Sequence, residues 1–266
     1  MKLYLSGLKS YHLDPGIECT TFSDPRLERT IQGIKRDLNE PDGRIRTPLT
    51  RPSLLSILTH LSATDYDHTV LHSAFTLAFA GFLTFGEFTY RAADMHLGAS
   101  YSKWYLTKQS IRMAEHGTYM ELTLPASKTD PFCKGITLTI VASSDHDIRC
   151  PVQAMRRFQT TDHHRPPASP LFCVSQHQQH PFTRKHVIKS LQDLAMTAGL
   201  GRGVWNGHSF RRGAATWAAE MGIPEAHIPM LGRSRSDAYK IYIKYARNDR
   251  IALSKRFQHR RHRALR

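Results

Sequence analysis

From Ser73 to Gly86 the chain runs for 14 residues without a charged side chain, and that stretch constrains the fold more than any other. It is shorter than the roughly 18 to 20 apolar residues that span a bilayer, so it predicts a helix buried on most sides. Such a helix needs other elements around it. The 266 residues, 40 % of them hydrophobic, supply enough chain for one large domain or a domain with a smaller piece. The N-terminal MKLYLSGLKSYHLD turns polar too early for the apolar core of a secretion signal, which predicts an intracellular protein. Cys19, Cys133, Cys150 and Cys173 form no C-x-x-C pair, so zinc ribbons and thiol redox motifs gain no support and reduced thiols are expected.

The rest of the pattern is mostly helical. Two short helices are predicted before about residue 36, the second opening at Ser23 with Asp24 and Pro25 and carrying Leu27, Ile31 and Ile34 at helical spacing. The stretch from Asp37 to Pro52 has three prolines, a glycine and mixed charge without apolar periodicity, as linkers do. Thr50 and Pro52 then start a helix presenting Leu54, Leu55, Leu58 and Leu61, and the apolar helix is expected from about His68 to Arg91. Tyr119 to Leu124 and Ile136 to Val141 alternate apolar and polar residues, which predicts a small antiparallel hairpin with a long tip. Helices return around Val152, Met155 and Phe158, and from Thr183 to Ala198. The TTDHHRPPASP loop between them is expected at the surface. Near the end, Ser209 is placed to cap a helix whose Phe210, Ala214, Trp217, Ala218 and Met221 share one face, closed by Gly222.

Charge narrows the partners. Lys and Arg number 37 against 22 Asp and Glu, a formal charge of +15. Between Ile243 and Arg266 nine bases stand against one acid, Asp249. Tyr245, Ile251, Leu253 and Phe257 are interleaved with them, which suits a helix that packs on one side and faces phosphate on the other. A solvated tail has the same composition. Duplex nucleic acid is the expected partner. A membrane is not, because the apolar residues are too few to insert deeply. His163, His164, His177 and His180 lie in polar loops without an acid pair or cysteine cluster, so no metal is expected.

The segment GHSFRRGAATWAAEMGIPEAHIPMLGRSRSDAYKIYI, residues 207 to 243, carries a His-x-x-Arg at a helix start, a Gly-Ile turn, a Leu-Gly step and a tyrosine about thirty residues after the arginine. It resembles the C-terminal catalytic box of the tyrosine recombinases, the phage integrase family. SKTDPF, residues 127 to 132, resembles the family's hairpin-lysine site, and FLTFGEF, residues 82 to 88, resembles its first-arginine motif. In wording these motifs are closest to recombinases of eukaryotic mobile elements of the DIRS and Crypton kinds. The resemblance implies a mainly α fold with a small antiparallel hairpin. Residues 1–36 would be a truncated helical core-binding remnant, 37–52 a linker, 53–248 the catalytic domain and 249–266 a basic tail.

The resemblance also implies a chemistry. In the family a tyrosine attacks a DNA phosphodiester, forming a 3′-phosphotyrosine and freeing a 5′ hydroxyl without metal or other cofactor. On the matching positions Tyr242 is the nucleophile, Arg211 a phosphate clamp, His208 the acid/base and Lys128 the general acid. Arg233, Arg235, Lys244 and Arg247 are assigned to DNA contacts, and assembly into homo-oligomers on DNA is implied. Two positions depart from the pattern. Thr84 stands where the first arginine is expected and Ser234 where a His or Trp is. A single neutral hydroxyl in place of a bidentate cation costs on the order of 100- to 1,000-fold in rate, so impaired recombination is expected unless Arg233 or Arg235 supplies the charge.

Blander explanations stay open residue by residue. His208 suits a helix start, Tyr242 is one of three neighbouring tyrosines with Tyr239 and Tyr245, and Lys128 is an ordinary turn residue. Gly222 followed by a Pro-started helix also imitates a helix-turn-helix reader, which leaves a DNA-binding or interaction module without chemistry as the alternative. The final KRFQHRRHRALR reads as a nuclear address, a DNA clamp, a segment docking on a neighbouring subunit or a plain charged tail.

Overall fold

The computed structural model describes residues 2–17, 19–37, 47–94, 102–125, 135–143, 147–175, 180–201, 203 and 205–232. The chain divides into two units, Met1–Ile45 and Arg46–Arg266. The first holds helix α1 (Lys2–Leu13), a 3-10 turn at Thr20–Ser23 and helix α2 (Pro25–Asp37). Asp24 rather than Ser23 caps α2, because its Oδ1 accepts the Arg26 backbone N–H at 2.8 Å while Ser23 is spent in the preceding turn. Tyr4, Leu8 and Tyr11 of α1 are exposed.

The second unit is built around the uncharged stretch. Helix α3 (Arg51–Leu58) is capped by Thr50, whose Oγ1 accepts the Ser53 N–H. Helix α4 (Tyr66–Ala80) starts at Asp65, which accepts the His68 N–H, and every residue from Thr69 to Ala78 is buried. The helix is shorter than predicted. Gly81 N–H bonds to Leu77 O, Phe82 N–H to Phe79 O and Leu83 N–H to Ala78 O, a closing pattern that puts Phe82 at φ +51°. A uniformly apolar run gives no periodic signal of where a helix stops. After the turn comes only a single helical turn, α5 (Phe85–Phe88).

A three-stranded antiparallel sheet follows: β1 (Ile111–Met113), β2 (Tyr119–Leu124) and β3 (Ile136–Val141) in that order. The hairpin has the predicted strands, with Met120 opposite Ile140 and Leu124 opposite Ile136. Met120, Leu122 and Leu124 point into the core, while Tyr119 and Thr123 face out. Helix α6 (Pro151–Thr161) packs along α4, and Ser73 Oγ donates to Ala154 O at 2.9 Å. A two-residue ribbon, β4 (Cys173–Val174) with β5 (His180–Pro181), leads to α7 (Arg184–Thr197). Helices α8 (Ser209–Glu220) and α9 (Ile228–Gly232) complete the described part. The architecture is mainly α with small antiparallel sheets. Among the described residues no helix is long and apolar enough to cross a membrane.

Two polar groups predicted at the surface are inside. Asp162 and Arg165, in the loop after α6, are 0 % and 3 % exposed. They are tolerated there because each satisfies the other. Arg165 Nε and Nη2 donate to the two Asp162 oxygens at 2.6 Å, Nη1 donates to Pro170 O and Nη2 also to Leu171 O. Tyr66 Oη donates to Asp162 Oδ1 at 2.9 Å and the Lys108 ammonium lies 3.2 Å from Oδ2. Burial by itself would raise the Asp162 carboxyl, but the Arg165 guanidinium outweighs it and holds the group below its ordinary range. Burial and the bond to Asp162 both push the Tyr66 phenol up.

Helix α8 also departs from its predicted face. Phe210, Ala214 and Ala218 are buried, but Met221 is 58 % exposed and Trp217 lies partly out under the Arg51 guanidinium, 4.6 Å from its ring centroid. The burial is instead drawn toward Gly213. The chain before α3 crosses α8 there, anchored by the bond from Leu49 N–H to Ser209 O at 3.0 Å. A Cβ built on Gly213 would sit 1.6 Å from Leu49 O, so only glycine fits under the crossing. Gly213→Ala is accordingly expected to cost about 3 kcal/mol, the upper end of overpacking penalties, and to lower the melting temperature by about 10 °C. Calorimetry or thermal circular dichroism reads this directly.

His72, buried in α4, gives a second prediction. Burial, seconded by the charge of Arg157, pushes its imidazole down to about 4 against a backbone bond at Ile148 that works the other way. The folded state thus keeps His72 neutral while the unfolded chain takes up a proton below about pH 6.5. Stability should be level above that point and fall between about pH 6.5 and 4, with His186, also lowered by burial, adding to the slope. Denaturant titrations of His72→Gln should show a shallower fall over that window than the native chain.

Candidate functional site

The turn after α4 is the foundation of the site. Phe82 occupies a left-handed backbone region that bulky side chains rarely adopt, a strain of order 1–3 kcal/mol. What holds it is packing: its ring belongs to a small apolar cluster with Ala214, Ala215 and Ala218 of α8 and Ile228 of α9. The reversed backbone presents the Phe82 carbonyl toward α8. It also releases the chain into Thr84, the N-cap of α5.

Thr84 and Glu87 close on each other. The Thr84 backbone N–H and Oγ1 both donate to Glu87 Oε2, at 2.5 and 2.8 Å, in the manner of a capping box. Arg211, in the first turn of α8, completes the group. Its Nη2 donates to Glu87 Oε2 at 2.8 Å and Oε1 at 3.0 Å, and its Nε donates to the Phe82 carbonyl at 2.8 Å. The carboxylate therefore receives three donors on one oxygen, and the guanidinium's direction is fixed from two elements 124 and 129 residues away. Both ionic side chains are about one-quarter exposed, so the group faces solvent on one side.

His208 is the N-cap residue of α8 and is exposed. Ser209, predicted as the cap, is instead the first helical residue. It is fully buried, and its Oγ accepts the Asn206 N–H at 3.0 Å, while Asn206 Oδ1 accepts the His208 N–H. These bonds turn the chain so that His208 precedes the helix and Arg211 follows three residues on. The Phe85 N–H bonds to Gly207 O at 2.8 Å, which sews the start of α5 to the residue before His208.

Beneath this seam lies a stack of rings. Phe210 packs against Phe75 at 5.4 Å, Phe85 at 5.7 Å and Phe88 at 5.8 Å between centroids, and Phe88 reaches Phe182 before α7 at 6.3 Å. Thr84 and Arg211, singled out by the sequence, thus meet on Glu87, and His208, singled out with them, stands at the start of the same helix as Arg211. Lys128, Arg233, Ser234, Arg235, Tyr242, Lys244 and Arg247 lie outside the described residues. Glu87 is not among the site residues that the sequence marks. The Thr84-x-x-Glu87 spacing was the available signal for its bond to Thr84, but nothing local announces its pairing with Arg211.

Charge in the group is balanced. Arg211 carries one positive charge, Glu87 one negative and Thr84 none, so the three together present no net charge to solvent. Glu87→Gln keeps the shape and removes the balancing charge. Because the pair is three-quarters buried and the carboxylate holds charge-assisted hydrogen bonds, the variant should lose about 1–3 kcal/mol of stability. Orthophosphate should then raise the melting temperature of the variant more than that of the native chain, which a thermal-shift titration measures.

The arrangement is the tyrosine recombinase catalytic fold. Among solved structures, the XerH site-specific recombinase in its post-cleavage complex with palindromic difH substrate superposes with a TM-score of 0.56 at 14 % identity, over 82 % of this chain and 54 % of that one. The Tn1549 transposon integrase in complex with a circular intermediate DNA gives 0.55 at 15 % identity, over 95 % and 85 %. The XerA recombinase gives 0.53 at 14 %, over 98 % and 75 %. At these identities the likeness is one of fold. The chain covers about half the length of the XerH chain. No protein-family profile matches the sequence, and no curated protein does.

Proposed function

We propose that the chain is a DNA-binding protein of the tyrosine recombinase kind, descended from a mobile element and impaired in its chemistry. The observation that carries the reading is the meeting of Thr84 and Arg211 on Glu87 at the start of the helix that His208 caps. Support also comes from the neighbours in fold, two of which are DNA complexes. In this reading Tyr242 attacks a phosphodiester, its oxygen replaces the 5′ oxygen on phosphorus, and Lys128 supplies the proton that the leaving hydroxyl takes up. His208 receives the tyrosine proton and Arg211 steadies the phosphoryl oxygens. The reverse attack by another 5′ hydroxyl restores the diester, so neither metal nor nucleotide is consumed.

The impairment follows from charge. Developing negative charge on the phosphoryl oxygens has to be met by fixed cations. Here the cation of Arg211 is matched by Glu87, and position 84, which the family resemblance assigns to a second arginine, offers a hydroxyl already donated to the same carboxylate. With Ser234 in place of a His or Trp, attack is expected to be slow by on the order of 100- to 1,000-fold or more. DNA binding depends on summed phosphate contacts and survives that loss. Assembly of several copies on DNA belongs to the same reading.

A pool of nicked duplexes of random sequence, which trap the covalent intermediate, tests it. The native chain should bind duplex with an affinity that falls steeply with salt and should yield little protein-DNA adduct. Thr84→Arg combined with Ser234→Trp should raise the adduct by about 100-fold or more, and adding Tyr242→Phe should abolish it. Binding without any adduct in the restored variant would leave a DNA-binding module with no recombinase chemistry.

A further inference from the structure

We infer that the cavity between α3, the end of α4, the end of β3 and α8 is a binding site for an amphipathic monocarboxylate, its aliphatic body lying among apolar side chains and its head meeting two guanidiniums. The inference does not rest on the recombinase reading. The cavity holds about 360 Å³, within the range of small-molecule pockets. Its apolar walls come from Leu54 of α3, Phe79 of α4, Val141 of β3, Pro151 at the start of α6 and Ala214 and Ala218 of α8. Met221 and Leu231, also in the lining, are exposed, so the cavity opens to solvent past a flexible thioether that adapts to the shape of what enters.

Arg51, Ser143, Asp147 and Arg149 line the same cavity and give it a polar end. Asp147 is spent mostly on Arg149: its Oδ1 accepts the Arg149 backbone N–H at 2.9 Å and Nε at 2.8 Å, and its Oδ2 accepts Nη2 at 3.3 Å. Arg51 approaches that carboxylate only to 3.6 Å, beyond hydrogen-bond length, and rests over the Trp217 ring. Two cations thus share one anion, which leaves a surplus of one positive charge. Burial and the charge of Arg149 both work against the Arg51 cation, and Asp147 offsets them only in part, so the guanidinium is held below its ordinary value. A second carboxylate would supply the missing charge and accept from the guanidinium fork. Ser143 adds a donor. Its Oγ is buried without a hydrogen-bond partner among the described residues, and the bond from Ala142 N–H to Thr118 O at 2.8 Å fixes the segment that carries it. The surplus of one suits a monoanion, and the walls call for an apolar body that an inorganic anion lacks. The chain's own stretch from Ile243 to Arg266, nine bases against one acid, has the wrong charge for this end of the cavity.

Isothermal titration of the full chain with octanoate, and with octanol as its uncharged analogue, tests the site. Octanoate should bind at one site per chain, and octanol, which keeps the body and lacks the charge, about tenfold or more weakly. Arg51→Gln should weaken octanoate about 10- to 100-fold and leave octanol unchanged, a split that a merely loosened fold does not produce. Ser143→Ala, a milder change, should weaken octanoate about fivefold with the melting temperature unaltered. The proposal is overturned if the native chain takes up no octanoate at millimolar concentration, or if the two probes bind it equally well. It is overturned equally if Arg51→Gln weakens both probes by the same factor, or if octanoate binds the two variants as tightly as the native chain.

Discussion

Burial of Phe210 among the rings of Phe75, Phe85 and Phe88 is the contact on which the rest of the second unit hangs. Each fully buried ring contributes roughly 1.5–3 kcal/mol relative to exposure. The geometric consequence matters more. The rings come from α4, from the single turn α5 and from the first turn of α8, segments with little local reason to meet. Once they stack, the polar residues flanking them, Thr84 before Phe85, Glu87 before Phe88 and Arg211 after Phe210, are delivered to a common edge. The polar edge is in this sense a by-product of the apolar stack beneath it.

On that edge a single carboxylate organises the donors. Glu87 orders Thr84 through the backbone and the hydroxyl, and orders Arg211 through both of its oxygens. A second cation at position 84 would leave the group with surplus positive charge for an anion; threonine leaves none. Each of these donors thus finds the one carboxylate.

The elements that could be read from the chain are those whose signal is local. The β2–β3 hairpin announces itself by alternation, and α6 and α7 by apolar residues three and four apart with a proline or threonine at the start. The end of α4 could not be read, because Phe82 enters a backbone region that glycine usually fills and does so only under the weight of Ala214, Ala218 and Ile228. Nor could the burial of Asp162 and Arg165, whose loop looks polar until Tyr66, 96 residues earlier, reaches in. At the site, the His208 and Arg211 spacing is visible in the letters, whereas the pairing of Arg211 with Glu87 is made by tertiary contact.

The crossing at Gly213 also makes the second unit mechanically sensitive at one spot. Leu49 is strapped to α8 through Ser209, the residue between His208 and Phe210, with its carbonyl wedged over the glycine. Tension entering this unit along the backbone at its N-terminal end would arrive first at that strap, and from there at the helix turn bearing the histidine and arginine. A tug on the chain and the aim of those two side chains are joined by one hydrogen bond and one missing methyl group.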